Sequence, residues 1–421
     1  MKLYIFFLIV SFLCVQPLYA AVPLTLDEAL EMSLNNHPHV VEAKENLHSA
    51  EARTGLALAN YYPQVNFAAD WNKGRTYFAA QENIKATEVS SASLYLKQTI
   101  YDFGRTSGGV DAVQSNRTAA EKALAITRQD LSLRVRSAFY LLFAAEKQVS
   151  AVAKTVKARS EILRQAQEFF TQGIRAKVDV ARAEANFYSA KTSLIRTENN
   201  REIARLELAN AMGIASLGDR TPVEPSAISA VLPERLPAQQ EAVHNRAELQ
   251  QLAALKLSAS ANLKTAKGSY LPILSGTANI GYADRDIPPT GNVWGVGLNL
   301  TVPMFSGFSS AEQVREATSA INVIEARQRD LMLQIGKEVE SAWLGANEAS
   351  ARMVSTDMEV TAASESMALA EGRYKEGIGN IIEVIDSQTQ ALEAQTDHIQ
   401  AKYDYYTALA RFDRAVGKSS K

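Results

Sequence analysis

Glu383 and Asp386 stand three residues apart in a stretch with helical periodicity, so both carboxylates project from one face of a helix. On a lone helix such a pair is ordinary solvated surface. With copies of that helix gathered about an axis, it becomes stacked rings of carboxylates that raise cation affinity and repel anions. Two other short pieces match each other: Gln172-Gly173-Ile174 and Glu376-Gly377-Ile378 each interrupt a long helical tract. A helix-stop glycine accounts for Gly173 and Gly377, but not for the isoleucine that follows both. The histidines His37, His39, His48, His244 and His398 are scattered over helical stretches, and the close pair His37 and His39 has no second cluster to complete a metal site. There is no glycine-rich phosphate loop and no paired nucleophile and base. No catalytic residue, metal or cofactor is expected, and the chain reads as a scaffold.

The elements that position these residues are built twice. Asn36, Val40 and Pro63 recur as Asn245, Leu249 and Pro272, each 209 positions on. Phe103 returns as Phe305, and Gly173 and Gly213 return as Gly377 and Gly417, both 204 on. A near-constant offset over landmarks this far apart means two copies of one large unit. The division expected is residues 21–213 for the first repeat, 214–237 for a linker holding Pro222, Pro225, Pro233 and Pro237, and 238–421 for the second repeat.

Residues 1–20 read as an export signal: Lys2 supplies a positive start, Leu3 to Val15 is apolar, and Gln16-Pro17-Leu18-Tyr19-Ala20 resembles a cleavage region. The apolar run falls short of the roughly 20 residues that a membrane anchor needs. Cys14, the only cysteine, lies within it, and Ser11-Phe12-Leu13 ahead of it does not form a lipoprotein box. The mature chain is therefore expected to have neither disulfides nor thiolate metal sites. Lys and Arg number 44 against 46 Asp and Glu, which gives no reason to expect nucleic acid as a partner. No second long apolar run exists, so any crossing of a membrane must be made by strands.

Proline is absent from Thr106 until Pro222 and again after Pro303, which leaves room for very long helices. Leu131, Val135, Ala138, Leu142, Ala145, Val149, Val152 and Val156 alternate steps of four and three, as do Met332, Ile335, Val339, Ala342, Ala346, Ala349 and Met353. This is the seam of a coiled coil, and its alanines allow close packing. The first tract, about residues 108–171, would be roughly 95 Å long at 1.5 Å per residue, which exceeds a compact domain. Shorter helices are expected at about 26–59 and 178–212 and, in the second repeat, at 238–267 and 381–416, with its long tract at 309–374. Two short helices laid end to end would match one long one.

Between short and long helix each repeat carries two strand candidates, at about 64–75 and 90–101 and at 273–284 and 292–303. Trp294, Val296, Leu298, Leu300 and Val302 alternate with Gly295, Gly297, Asn299 and Thr301, and the other three segments alternate to varying degrees. About ten residues is the length of a tilted membrane-spanning strand with one face for lipid and one for water. Four strands cannot close a barrel, and an open edge in lipid leaves backbone groups unpaired. The barrel must then be shared among copies of the chain, with eight strands from a dimer or twelve from a trimer.

At these motifs the chain resembles the TolC-like outer-membrane efflux and secretion channels. The carriers are Tyr62-Pro63 and Tyr270-Leu271-Pro272 entering the strands, and Tyr101-Asp102-Phe103-Gly104 and Pro303-Met304-Phe305-Ser306-Gly307 leaving them. Asn245-Arg246-Ala247-Glu248-Leu249 is similar to the family's Asn-Arg-Pro-Glu-Leu with the proline replaced. The resemblance implies a mainly α fold with a small membrane β portion. It implies a homotrimer whose α-helical tunnel crosses the periplasm and whose shared twelve-stranded β-barrel sits in the outer-membrane lipid of a Gram-negative cell. Its expected work is that of the exit channel of a tripartite efflux or type I secretion system, fed by an inner-membrane transporter through a periplasmic adaptor.

By the same resemblance, Gln172, Gly173, Ile174, Glu376, Gly377 and Ile378 fall on the tips that touch the adaptor. Glu383 and Asp386 fall on the acidic constriction of the periplasmic end, with Glu383 where the family more often has Asp; repulsion among these carboxylates would make a closed tip sensitive to pH and divalent cations. Asp179 and Tyr374 fall on positions that pair in the lock of the closed tip. The family's locking Arg is Gly379 here and a neighbouring Thr is Val178, so locking through Arg175, Lys177 or Lys375 is the alternative. The rival reading, a periplasmic coiled-coil adaptor or structural protein without a pore, explains the helices and the export signal but not the duplicated amphipathic hairpins. Nothing in the residues identifies the cargo.

Overall fold

The computed structural model describes residues 22–78, 83–225 and 234–418. The expected export segment with Cys14, and the part of the inter-repeat segment from 226 to 233 that includes Pro233, lie outside the described residues. The chain runs β1 (Val22–Leu24), α1 (Leu26–Asn36), α2 (Pro38–Leu58), β2 (Gln64–Phe78), β3 (Asn83–Tyr101), α3 (Arg105–Thr171), α4 (Lys177–Met212), β4 (Arg220–Pro222), α5 (Arg235–Asn245), α6 (Ala247–Gly268), β5 (Ile273–Asp284), β6 (Asn292–Thr301), α7 (Ser309–Lys375) and α8 (Ile381–Val416). Most of it is helix.

Uninterrupted by proline, α3 and α7 reach 67 residues each, or about 100 Å of helix. The helices that follow them, α4 and α8, are both 36 residues. All four end in one motif: Gly173, Gly213, Gly377 and Gly417 take positive φ, and the residue after each donates its N–H to the carbonyl five residues back. Glycine is needed there because a Cβ is strained in the left-handed region. At the other end, α1 starts with a capping box: the Thr25 hydroxyl accepts from the Glu28 N–H at 3.2 Å, and the Glu28 carboxylate accepts from the Thr25 N–H at 2.9 Å.

The single short helix expected at 26–59 is two helices, α1 and α2, broken at His37-Pro38. Proline pushes the residue before it out of the helical region, and His37 is extended at φ −64°, ψ 133°. The helix expected at 238–267 is likewise split into α5 and α6, at Arg246 (φ −63°, ψ 117°), although Ala247 stands where a proline could have forced the break. Side-chain bonding replaces the proline. Buried Arg246 donates to the Ala415 carbonyl at 3.1 Å and pairs with Glu338 at 2.8 Å and Glu248 at 3.0 Å, which holds its backbone out of the helix.

The chain packs as two compact units, and each draws on both repeats. Among the described residues, one takes 22–37, 134–225 and 349–407; the other takes 38–78, 83–133, 234–348 and 408–418. In the first, β1 pairs in parallel with β4, Val22 opposite Arg220, so the expected linker contributes a strand that no periodicity announced. In the second, a core of Ala238, Ala242, Leu249, Ile335, Val339 and Phe412 holds α5, α6, α7 and the end of α8 together.

The second unit also carries an antiparallel sheet in the order β2-β3-β5-β6. Register decides its faces. Phe67 lies opposite Leu94, Leu94 opposite Ile280 and Ile280 opposite Trp294, while Val65, Leu96, Ala278 and Val296 form the next row. Leu96 and Ala278 are partly covered and the others are solvent-exposed in the single chain, Val296 by 81%, and together they make one continuous apolar face. The opposite face is polar, with Asn66, Tyr95, Asn279 and Gly295 aligned in one row. β2 and β6 are its edges, each unpaired on its outer side among the described residues. β2 and β3 run past the expected limits, to Phe78 and back to Asn83, and beyond Ser90 they pair only with each other. Lys73, Gly74, Thr87 and Glu88 break the apolar alternation there, which is why the extension left no period to read. Among the described residues, no helix is long and apolar enough to cross a membrane.

Candidate functional site

The turns after α3 and α7 come together in the first unit around a small core. Ala166, Ala183, Ala370, Tyr374, Ile381 and Val384 are buried in it, with Phe169 and Val180 packed on them. Alanines at 166, 183 and 370 let the helices approach closely enough for the two turns to touch.

Arg175 joins them. Its Nη2 donates to the Gly377 carbonyl at 3.0 Å and to the Gly379 carbonyl, and its guanidinium lies over the Tyr374 ring, 5.9 Å from the centroid. One cation therefore ties the turn after α3 to the turn after α7. Gly379 explains why the tie comes from this side: a Cβ there would meet the Tyr374 nitrogen at 2.7 Å and the Arg373 carbonyl carbon at 2.9 Å, closer than backbone atoms tolerate. The Gly379 N–H donates to the Arg373 carbonyl at 2.8 Å, which holds the turn in that tight shape.

Tyr374 is fully buried, edge-on to Phe169 with ring centroids 5.8 Å apart. Its hydroxyl is buried without a hydrogen-bond partner. Burial, and then the nearby Asp179 carboxylate, push that hydroxyl above its ordinary pKa against the opposing pull of Arg175. Asp179, half-buried in the first turn of α4, is thus close enough to act electrostatically but makes no hydrogen bond to Tyr374. The structure brings this expected pair together and leaves it unlatched within the chain.

Glu383 and Asp386 project from the exposed side of α8, opposite the face that buries Ile381, Val384 and Gln388. They differ in company. Arg373 Nη1 reaches Glu383 Oε1 at 3.1 Å, whereas no ion pair to Asp386 is present among the described residues. Three residues beyond Asp386, Thr389 accepts at 3.0 Å from Arg159, which also donates to the Asn186 carbonyl at 3.2 Å. Arg159 is buried, with no carboxylate paired to it among the described residues, and that desolvation lowers its pKa. It occupies the next position in the α3 seam after Val149, Val152 and Val156, and a cation at a seam position is the signal that could have marked it.

Ile174 and Ile378 are 54% and 74% exposed at the tips. Their repetition after glycine is less telling than it looked, because Ile214 follows Gly213 in the same turn motif at the far end of α4. Exposure sets the tip pair apart: Ile214 is partly buried, and Gln172 and Glu376 beside the tips are exposed.

Comparison with known proteins agrees with this architecture. A family model described as Outer membrane efflux protein matches residues 29–214 and 238–418. Among relatives, the outer membrane protein TolC of Vibrio cholerae is 23% identical over 418 residues, covering 94% of this chain and 91% of that protein. Protein CyaE of Bordetella pertussis is also 23% identical, covering 91% and 82%. Among solved structures, the outer membrane protein VceC of Vibrio cholerae superposes with a TM-score of 0.80 at 18% identity, covering 93% of this chain and 96% of that one. The Campylobacter jejuni CmeC outer membrane channel gives 0.82 at 17% identity, covering 93% and 85%. With most of its length inside the family match, the chain belongs to the outer membrane efflux protein family, a family of outer-membrane channels rather than enzymes.

Proposed function

We propose that the chain is the exit duct of a tripartite efflux or type I secretion system, working as a homotrimer that takes substrate from an inner-membrane transporter and a periplasmic adaptor. The observation that carries this is the sheet. Four strands with one apolar face and two unpaired edges are stable in lipid only when the edges pair with other copies, and three copies supply twelve strands. Each hairpin leads in sequence into a helix of 67 residues, about 100 Å of helix at 1.5 Å per residue. A coiled coil without a pore leaves the apolar face of the sheet without a purpose.

The tips are then the gate. In a trimer, Asp386 and Glu383 form stacked carboxylate rings, and Arg373 offsets part of the Glu383 charge, so Asp386 carries most of the cation affinity. Arg175 is the latch within each chain, and Asp179 is the half-buried carboxylate available to a neighbour. Ile174 and Ile378, exposed apolar side chains at rigid turns flanked by Gln172 and Glu376, are the contact points for the helical hairpin of an adaptor.

The test is the mass and location of the protein. Expression with its own leader should place it in the outer-membrane fraction, and native mass in detergent should be three times that of the chain. A monomer recovered from the soluble periplasm would remove the shared barrel.

A further inference from the structure

One buried charge in the first unit has no partner of opposite sign among the described residues. Arg159 of α3 is 6% exposed, and its guanidinium donates only to neutral oxygens: the Asn186 carbonyl of α4 at 3.2 Å and the Thr389 hydroxyl of α8 at 3.0 Å. Its Nε is buried without a hydrogen-bond partner. Burying a cation away from any carboxylate is costly, and neutral acceptors offset only part of that.

Neither acceptor depends on it. The Asn186 carbonyl lies inside α4, where the helix ladder supplies a donor, and the Thr389 hydroxyl itself donates to the Ile385 carbonyl at 2.8 Å. Packing does not call for an arginine either: α3 and α7 match in length and run 204 positions apart, and the position that corresponds to Arg159 is Ala363. In the arrangement observed, the charge stabilises nothing that an uncharged side chain would leave unsatisfied. Its use lies in another arrangement of the same helices.

The carboxylate it lacks is one turn away. Asp386 is exposed on α8, has no ion pair among the described residues, and precedes Thr389 on the side of the turn after α7. Three residues of helix are about 4.5 Å of rise and about 60° of rotation, so a movement of α8 on that scale exchanges the Thr389 hydroxyl for the Asp386 carboxylate in front of Arg159. We infer that Arg159 is the positioning residue of the open tip: once the two turns part, α8 moves and Asp386 pairs with Arg159. The closed arrangement buries the cation unpaired and the open one satisfies it, so Arg159 pulls toward opening while Arg175 holds the tip closed. Opening also withdraws Asp386 from the carboxylate rings and releases the cations they hold. The inference rests on the gate reading above and adds the residue that drives the gate open.

The experiment records the conductance of the full-length protein in a planar bilayer without divalent cations. Arg159→Met should leave the thermal stability of the oligomer unchanged or raised, because it removes a buried unpaired charge. In an Arg175→Ala background, which frees the tip, adding Arg159→Met should lower the conductance about tenfold, back toward the wild-type value. Adding Asp386→Ala instead should lower it too, and the triple variant should fall no further than either double variant, since each removes the same pair. A loss of stability or of the oligomer in Arg159→Met would make Arg159 a tie of the closed tip and overturn the inference. Conductance that stays high in Arg175→Ala/Arg159→Met would also overturn it and leave the gate reading standing. Losses that add for Asp386→Ala, or that fail to add for Glu393→Ala one turn to the other side of Thr389, would remove Asp386 as the partner. An Arg175→Ala channel no more conductive than the wild type would overturn the gate reading and this inference with it.

Discussion

Arg175 donates to the carbonyl of Gly377 at 3.0 Å, and with that bond the turn after α3 is fastened to the turn after α7. The same nitrogen takes the Gly379 carbonyl, so two backbone acceptors of one tight turn depend on one side chain. The glycine at 379 and the arginine at 175 are two halves of one arrangement, because a side chain at 379 would collide with the Arg373–Tyr374 backbone and force open the turn whose Gly377 and Gly379 carbonyls Arg175 holds.

Removing the guanidinium should loosen the gate. Hydrogen bonds from a charged donor contribute about 2 kcal/mol net, or roughly 30-fold in a two-state equilibrium. Arg175→Ala is expected to raise the resting conductance of single channels in a planar bilayer by a factor of that order. An unchanged resting conductance would show that the turns are held by something else.

Tyr374 should behave differently. Its hydroxyl is buried without a partner, so Tyr374→Phe discards an unsatisfied group and keeps the ring against Phe169. The variant should be as stable as the wild type or more stable by about 1 kcal/mol, with its resting conductance unaltered. Thermal unfolding and bilayer recording check both halves, and a leaky Tyr374→Phe channel would mean that the hydroxyl latches across chains.

The two carboxylates of α8 should not contribute equally. Glu383 already meets Arg373 at 3.1 Å, while Asp386 has no such partner among the described residues. Block by divalent cations from the periplasmic side should be relieved more by Asp386→Ala than by Glu383→Ala. Arg373→Ala should tighten the block by freeing the Glu383 charge. Equal effects of the two carboxylate variants would place the ions elsewhere.

Acid should weaken the network that breaks the helix at Arg246. Burial raises the Glu248 pKa, but the hydrogen bond from Arg414 and the charges of Arg414 and Arg246 more than reverse this and leave it below the ordinary 4.5. A depressed carboxylate contributes stability that is fully present above 4.5 and is lost as pH falls through its folded value. Glu248→Gln should therefore cost about 2 kcal/mol at neutral pH and much less in acid. Urea unfolding at several pH values checks this, and parallel losses at every pH would contradict it.

How far the residues could be read ahead of the structure followed from what kind of signal each element leaves. The seam from Leu131 to Val156 and its proline-free surroundings announced α3 to within a few residues, because helical period and absence of breakers are local properties. The alternation from Trp294 to Leu300 announced β6 for the same reason. The break at Arg246 left no helix breaker in the sequence, since an ion pair with Glu338 and a hydrogen bond to the Ala415 carbonyl, both far away in sequence, do what a proline would do locally. The β1 and β4 pair was hidden likewise, being three residues long on each side and joined across most of a repeat. At the tips, the glycines and carboxylates stood out as residues, but the tie by Arg175 depends on two turns about 200 positions apart. Such a relation exists only once the chain has folded.

The central claim is that copies of this chain share one membrane barrel and form a channel with an acidic gate. The most direct measurement is the conductance of the purified wild-type protein in a planar bilayer, with Asp386→Ala beside it and divalent cations titrated on the periplasmic side. The account predicts a small, cation-selective conductance that divalents block and the variant releases. A protein that inserts no channel, in wild type and variant alike, would contradict it.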